Sequence, residues 1–182
     1  MIRTIGLIEL NSIAKGIEVA DFMIKAAEVN LLKANSICPG KYIVLISGDV
    51  AAVKASIEVG NVVGREFVVD KLILSNVHPQ LIKAINGTVD INEFKSLGVL
   101  EFFSIATSIV AADTAAKSAL IDLIDVRLGL GIGGKSYITL TGDVSSVTEA
   151  VEAGAISAKN TGMLVSKVVI PSPRKELFNE LL

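Results

Sequence analysis

Three short stretches hold the residues that could do chemistry. The first is NSICPGKY, residues 35–42, with Cys38 as the only cysteine in 182 residues. A thiolate is both a nucleophile and a metal ligand, but one thiol cannot close an intrachain disulfide and alone makes a poor metal site. Pro39 fixes φ and removes a donor, and Gly40 permits unusual dihedrals. Pro39 and Gly40 therefore read as the turn joining two strands, VNLLKANSIC and KYIVLISGD, with the thiol at its edge. The second stretch is GLGIGGKS, Gly129 to Ser136, which fits the P-loop pattern; Gly129, Gly131 and Gly134 also satisfy a dinucleotide fingerprint. The third is NVHPQ, which contains the sole histidine, His78.

Two of these lose their chemistry in context. Phosphate cradles require the glycine loop to run into a helix N-terminus. Here it runs into YITLTGD, where Ile138 and Leu140 alternate with Tyr137, Thr139 and Thr141, the periodicity of a strand. A glycine-rich turn between strands, including Gly131, Gly133 and Gly134, is the simpler reading, and a nucleotide-binding enzyme is the distant alternative. His78 sits beside a proline with no nucleophile or acid legible as a partner, so it reads as a turn histidine. Glu9 and Glu101 recur at matched positions, which argues structure as strongly as chemistry. No catalytic residue is assigned, and the chain reads as a non-enzyme.

The elements that must position these residues come in two copies. IGLIELNSIAKGIEVADFMIKAAEVNLL aligns with LGVLEFFSIATSIVAADTAAKSALIDLI at an offset of 92, pairing Gly6 with Gly98, Glu9 with Glu101, Ser12 with Ser104, Asp21 with Asp113 and Lys25 with Lys117. After a two-residue insertion, GKYIVLISGDVAAVKASIEVG aligns with GKSYITLTGDVSSVTEAVEAG. Each copy reads as strand, helix, two strands, helix, strand. IGLIEL is suited to a strand buried on both faces. Ile13, Ile17, Ala20, Ile24 and Ala27 recur at helical spacing, mirrored by Ile105, Ile109, Ala112, Ala116 and Ala119. Ser12 is placed to cap the first helix, and Asp49 and Asp143 to cap the later ones. Two similar α/β domains follow, residues 1–88 and 97–182, joined by a polar linker at 89–96. A last turn and short helix are expected in PSPRKELFNELL.

Bulk composition limits the function classes. Hydrophobic residues make up 51% and charged residues 20%, a core-forming balance. Mean hydropathy is high at +0.62. Yet the longest stretch without a charge is eleven residues, as in FFSIATSIVAA, so no membrane-spanning helix is expected. The apolar excess is better assigned to subunit interfaces. A net charge of −2 with no basic stripe and 4% aromatics argues against nucleic acid as a partner. One cysteine and no export signal point to a reducing cytoplasm.

These features together resemble the shell proteins of bacterial microcompartments, in their tandem-domain form. The resemblance is carried by IGLIEL, SIAKGIEVADFMIKAAEV and GKYIVLISGDVAAVKASIEVG, each repeated in the second half, over residues 4 to 173. SICPGK and the ending VVIPSP are similar to the cysteine-bearing tandem type of propanediol-degrading compartments. The resemblance implies α/β (α+β) architecture: two BMC domains, each a ferredoxin-like antiparallel sheet flanked by helices. It implies a homotrimer imitating a hexagonal tile and meeting other shell proteins edge to edge in the cytoplasm. The loops at 36–41 and 128–135 are then expected to line a central pore. Members of the cysteine-bearing type are understood to carry one [4Fe–4S] cluster per trimer, which here would take Cys38 from three chains and leave one iron to a non-cysteine ligand. Its expected partner is an encapsulated redox enzyme. On residues alone, Cys38 also reads as a small buried hydrophobe, and a metal-free tile passing small metabolites stays open. Lys25 and Lys117 are implied as tile-edge lysines, beside the plainer reading of solvated helix lysines.

Overall fold

The computed structural model describes residues 4–91 and 93–181. It divides into two compact units. One runs through Val77 and takes in Leu130–Gly134; the other holds His78–Gly129 and the chain from Lys135 onward.

The first unit follows the order read from the sequence. β1 (Thr4–Leu10) leads to α1 (Ile13–Ala26), then β2 (Val29–Ile37), β3 (Lys41–Gly48), α2 (Val50–Gly64), a 3-10 turn and β4 (Val68–Ser75). Its antiparallel sheet has the order β2-β3-β1-β4, so β1 and β3 are central and buried almost throughout. One face of the sheet carries Ile8, Leu10, Val44 and Ile46 against Val19, Met23, Val53 and Ile57 of the helices. Gly6 allows that approach: a Cβ there would lie 2.7 Å from the Ile57 side chain. The N-terminus of α1 is closed by Ser12, whose hydroxyl accepts from the Lys15 N–H.

The second unit repeats the plan: β5 (Ser96–Phe102), α4 (Ile105–Ser118), β6 (Ile121–Leu128), β7 (Ser136–Gly142), α5 (Val144–Ser157) and β8 (Leu164–Ile170), in the order β6-β7-β5-β8. Ser104 caps α4 as Ser12 caps α1. A last helix, α6 (Lys175–Leu181), completes the chain.

Asp49 and Asp143 occupy the N-cap positions of α2 and α5, as expected, although neither side chain makes a capping hydrogen bond. One expectation is corrected. The apolar stripe assigned to α1 is largely outside, with Ile13, Ile17 and Ile24 exposed. The buried face of α1 is Gly16, Val19, Ala20 and Met23, one step round the helix. The matching stripe on α4 is inside: Ile105, Ile109, Ala112 and Ala116 are all buried.

The two units divide at Val77, and α3 (Pro79–Ile85) lies against β6 and α4 of the second. Gln80 holds it there, donating to Asp122 Oδ1 at 2.6 Å and accepting the Leu123 N–H at 3.1 Å. Part of the stretch expected as a linker is also packed. Ile91 and Phe94 join Leu97, Ile124 and Phe178, and the Phe94 and Phe178 rings stand 4.3 Å apart. Apolar side chains spaced through a polar stretch thus extend the second core instead of bridging two.

Candidate functional site

Cys38 follows the last residue of β2, at the turn into β3. Ile37 is buried beneath it, its carbonyl accepting the Gly40 N–H at 3.0 Å to close the turn. Ser36, Pro39 and Gly40 are exposed, whereas Cys38 itself is half-buried, with a free thiol. The Cys38–Pro39 peptide is cis and Gly40 has φ +82°, the left-handed geometry its lack of a Cβ permits.

Beside this turn lies Leu130–Gly134 of the second repeat, which groups with the first unit. Gly134 is buried, while Gly131 and Gly133 are exposed. All three have left-handed φ, at 76°, 66° and 79° for Gly131, Gly133 and Gly134. The glycine loop enters β7 directly, as the strand periodicity predicts. Its P-loop residues are otherwise engaged. Lys135 pairs with Glu101, and the fully buried Ser136 hydroxyl lies 2.7 Å from both Ser108 Oγ and the Arg127 carbonyl. The loop runs into a strand and not into a helix N-terminus, so the P-loop pattern lacks the context that phosphate binding requires.

The structure adds a pair the sequence reading left unassigned. Lys41, opening β3, reaches 2.7 Å from Glu9 Oε1 on β1. Lys135 and Glu101 are the counterpart in the second repeat. The signal was present: both repeats place a Gly-Lys dipeptide and a strand glutamate at matched positions. On the flank of β6, Arg127 has its pKa raised, first by its hydrogen bond to Asp125 and then by that carboxylate's charge.

His78 is the N-cap of α3, its ring Nδ1 accepting the Gln80 N–H at 3.4 Å, and its own N–H donates to Asp113 Oδ1 at 2.7 Å. The carboxylate thus engages its backbone and not its ring. Lys25 is 70% exposed and pairs with Asp21 at 2.6 Å. Lys117 is 37% exposed and pairs at 2.5 Å with Asp113, whose side chain is buried. The matched lysines therefore make the same pairing and differ in burial: Lys25 and its carboxylate lie in solvent, whereas Lys117 pairs with a buried one.

Among the described residues, no group of three or more His, Cys, Asp or Glu could hold a metal within one chain. The sequence supplies one cysteine, Cys38, and so one thiol per chain. No helix of the described residues is long and apolar enough to cross a membrane.

Two four-stranded antiparallel sheets, each with its own helices and joined in tandem, define the class. The BMC domain matches twice, over residues 4–79 and 96–173, and the chain belongs to that family of bacterial microcompartment shell proteins. It is 41% identical over 182 residues to the microcompartment shell protein PduT of Citrobacter freundii, which spans 100% of this chain and 99% of that one. The crystal structure of a microcompartment protein from Desulfitobacterium hafniense DCB superposes with a TM-score of 0.94 at 56% identity, covering 98% of this chain and 99% of that one. The fused permuted hexameric shell protein MSM0275 shares the fold, with a TM-score of 0.61 at 23% identity over 86% of this chain and 84% of that one.

Proposed function

We propose that this shell subunit assembles as a homotrimer with pseudo-sixfold symmetry, and that Cys38 from three chains holds one [4Fe–4S] cluster at its centre. The observation that carries the reading is a single half-buried free thiol at a loop tip, present in one repeat and absent from the other. A twofold or sixfold set of thiolates is not what a threefold ring of such chains would supply; three is. Cluster irons are commonly held by four ligands of this type, so a fourth would come from elsewhere. A bound cluster would supply one-electron chemistry, or be passed to an encapsulated redox enzyme.

The chain's own residues supply the frame. Pro39 and Gly40 shape the loop, and the Glu9–Lys41 pair ties the start of β3 to β1. The bare apolar stripe of α1, with Ile17 at 56% exposure, supports burial against further copies. The setting proposed is the shell of a cytoplasmic microcompartment, where the chain acts without catalysis of its own. Lys25, paired with Asp21 but well exposed, is proposed as the lysine that meets neighbouring tiles, and Lys117 as its less exposed counterpart.

Anaerobic purification followed by iron analysis, electron paramagnetic resonance and light scattering tests both parts. Wild-type protein should be a brown trimer, and Cys38→Ser a colourless trimer. A wild-type trimer that binds no iron after anaerobic reconstitution removes the cluster and leaves a metal-free tile with a pore for small metabolites. A monomer at high concentration removes the trimer.

A further inference from the structure

The glycine loop of the second repeat serves the thiol loop of the first. Leu130–Gly134 groups with the first unit, and Gly134 lies directly against the Cys38–Pro39 peptide. A Cβ on Gly134 would stand 2.5 Å from the Cys38 carbonyl oxygen, 3.3 Å from its carbonyl carbon and 3.2 Å from Pro39 Cδ. The nearest of these atoms belongs to backbone, which cannot swing aside as the end of a flexible side chain can. Gly131 and Gly133 share the left-handed conformation, yet a Cβ on either would meet nothing within 4 Å. Similar backbone geometry therefore occurs in one loop with and without the contact.

We propose that Gly134 is a positioning residue for the Cys38 thiol: a side-chain-free stretch of backbone abuts the turn and sets the direction in which the sulfur is presented. The repeats divide the task. The first loop keeps a side chain capable of chemistry, and the second gives up side chains to press against it. Such support matters because a ligand must be held within about 0.5 Å of its productive position. The role in ligand placement rests on the reading of Cys38 given above, whereas the abutment itself does not.

The test uses the full-length protein with Gly134→Ala, Gly134→Asn and Gly131→Ala. Alanine is strained at both positions by its left-handed φ, so Gly131→Ala reproduces the strain without the contact; asparagine tolerates that φ but still carries a Cβ. The first readout is the alkylation rate of Cys38 by monobromobimane in metal-free, reduced protein. Both Gly134 variants should change it severalfold in protein that still melts cooperatively, and Gly131→Ala should leave it unchanged. The second readout is iron bound after anaerobic reconstitution, expected to fall severalfold in the Gly134 variants alone. Wild-type alkylation rates in both Gly134 variants, or an equal shift in Gly131→Ala, overturn the proposal. If wild-type protein binds no iron, the cluster reading fails and the alkylation arm still decides this one. Where the variants do not fold, a nuclear Overhauser contact between Gly134 Hα and Pro39 Hδ in wild-type protein serves instead; its absence overturns the abutment.

Discussion

Lys41 Nζ stands 2.7 Å from Glu9 Oε1, an ion pair between neighbouring central strands in which the carboxylate side chain is 5% exposed. The counterpart in the second repeat, Lys135 with Glu101, leaves the carboxylate 33% exposed. Burial and not charge separates the two, because an unpaired buried group bears its desolvation cost in full while an exposed one is rescued by water.

Lys41→Met should therefore destabilise the protein by about 1–3 kcal/mol, the cost of stranding a buried polar group. Lys135→Met should cost about 0–1 kcal/mol, as expected for a partly exposed pair. Urea unfolding of the two variants side by side provides the comparison; equal losses would show that burial of Glu9 is not what matters.

Asp113 and Asp21 make a second matched contrast. Asp113 is buried and bonds both Lys117 and the His78 N–H, whereas Asp21 pairs with Lys25 in solvent. Asp113→Ala should cost about 1.5–3 kcal/mol, the range for hydrogen bonds to charged groups. Asp21→Ala should cost only about 0.3–0.5 kcal/mol, as for exposed helix pairs one turn apart. Thermal melts of both variants measure the difference, which vanishes if α3 does not depend on Asp113.

Gln80 links α3 to the edge strand β6 through Asp122 and the Leu123 N–H. Gln80→Ala frees both, so the Leu123 amide should exchange faster with solvent while amides of β5 and β7 keep their protection. Hydrogen exchange resolves the two outcomes, and unchanged protection at Leu123 would mean that packing of Leu81, Ala84 and Ile85 holds the helix alone.

Gly16 lies on α1 over Tyr42, and a Cβ there would sit 2.5 Å from atoms of that ring and its Cβ. Alanine is the better helix former by about 1 kcal/mol. Overpacking costs about 1–3 kcal/mol, so Gly16→Ala should lower stability on balance. A raised melting temperature would mean that Tyr42 moves aside freely.

The sequence by itself determined the tandem repeat, the order of elements within each copy, the Ser12 cap, and the strand after the glycine loop. The repeat shows in the chain's similarity to itself, and the others depend on residues within a few positions of one another, where hydrophobic period and turn chemistry act directly. The tertiary structure alone decided the rest. Ile17 and Ile109 share a repeat position, yet Ile17 is exposed and Ile109 fully buried, because burial depends on what lies opposite and not on the period. α3 belongs with the second unit because Leu81, Ala84 and Ile85 are buried there and Gln80 meets β6, more than 40 residues along the chain. Cys38 and Gly134 lie 96 positions apart in the chain, and only folding brings the backbone of one against the other. A local pattern can say that a residue wants a partner; which partner it meets is set by packing over the whole chain.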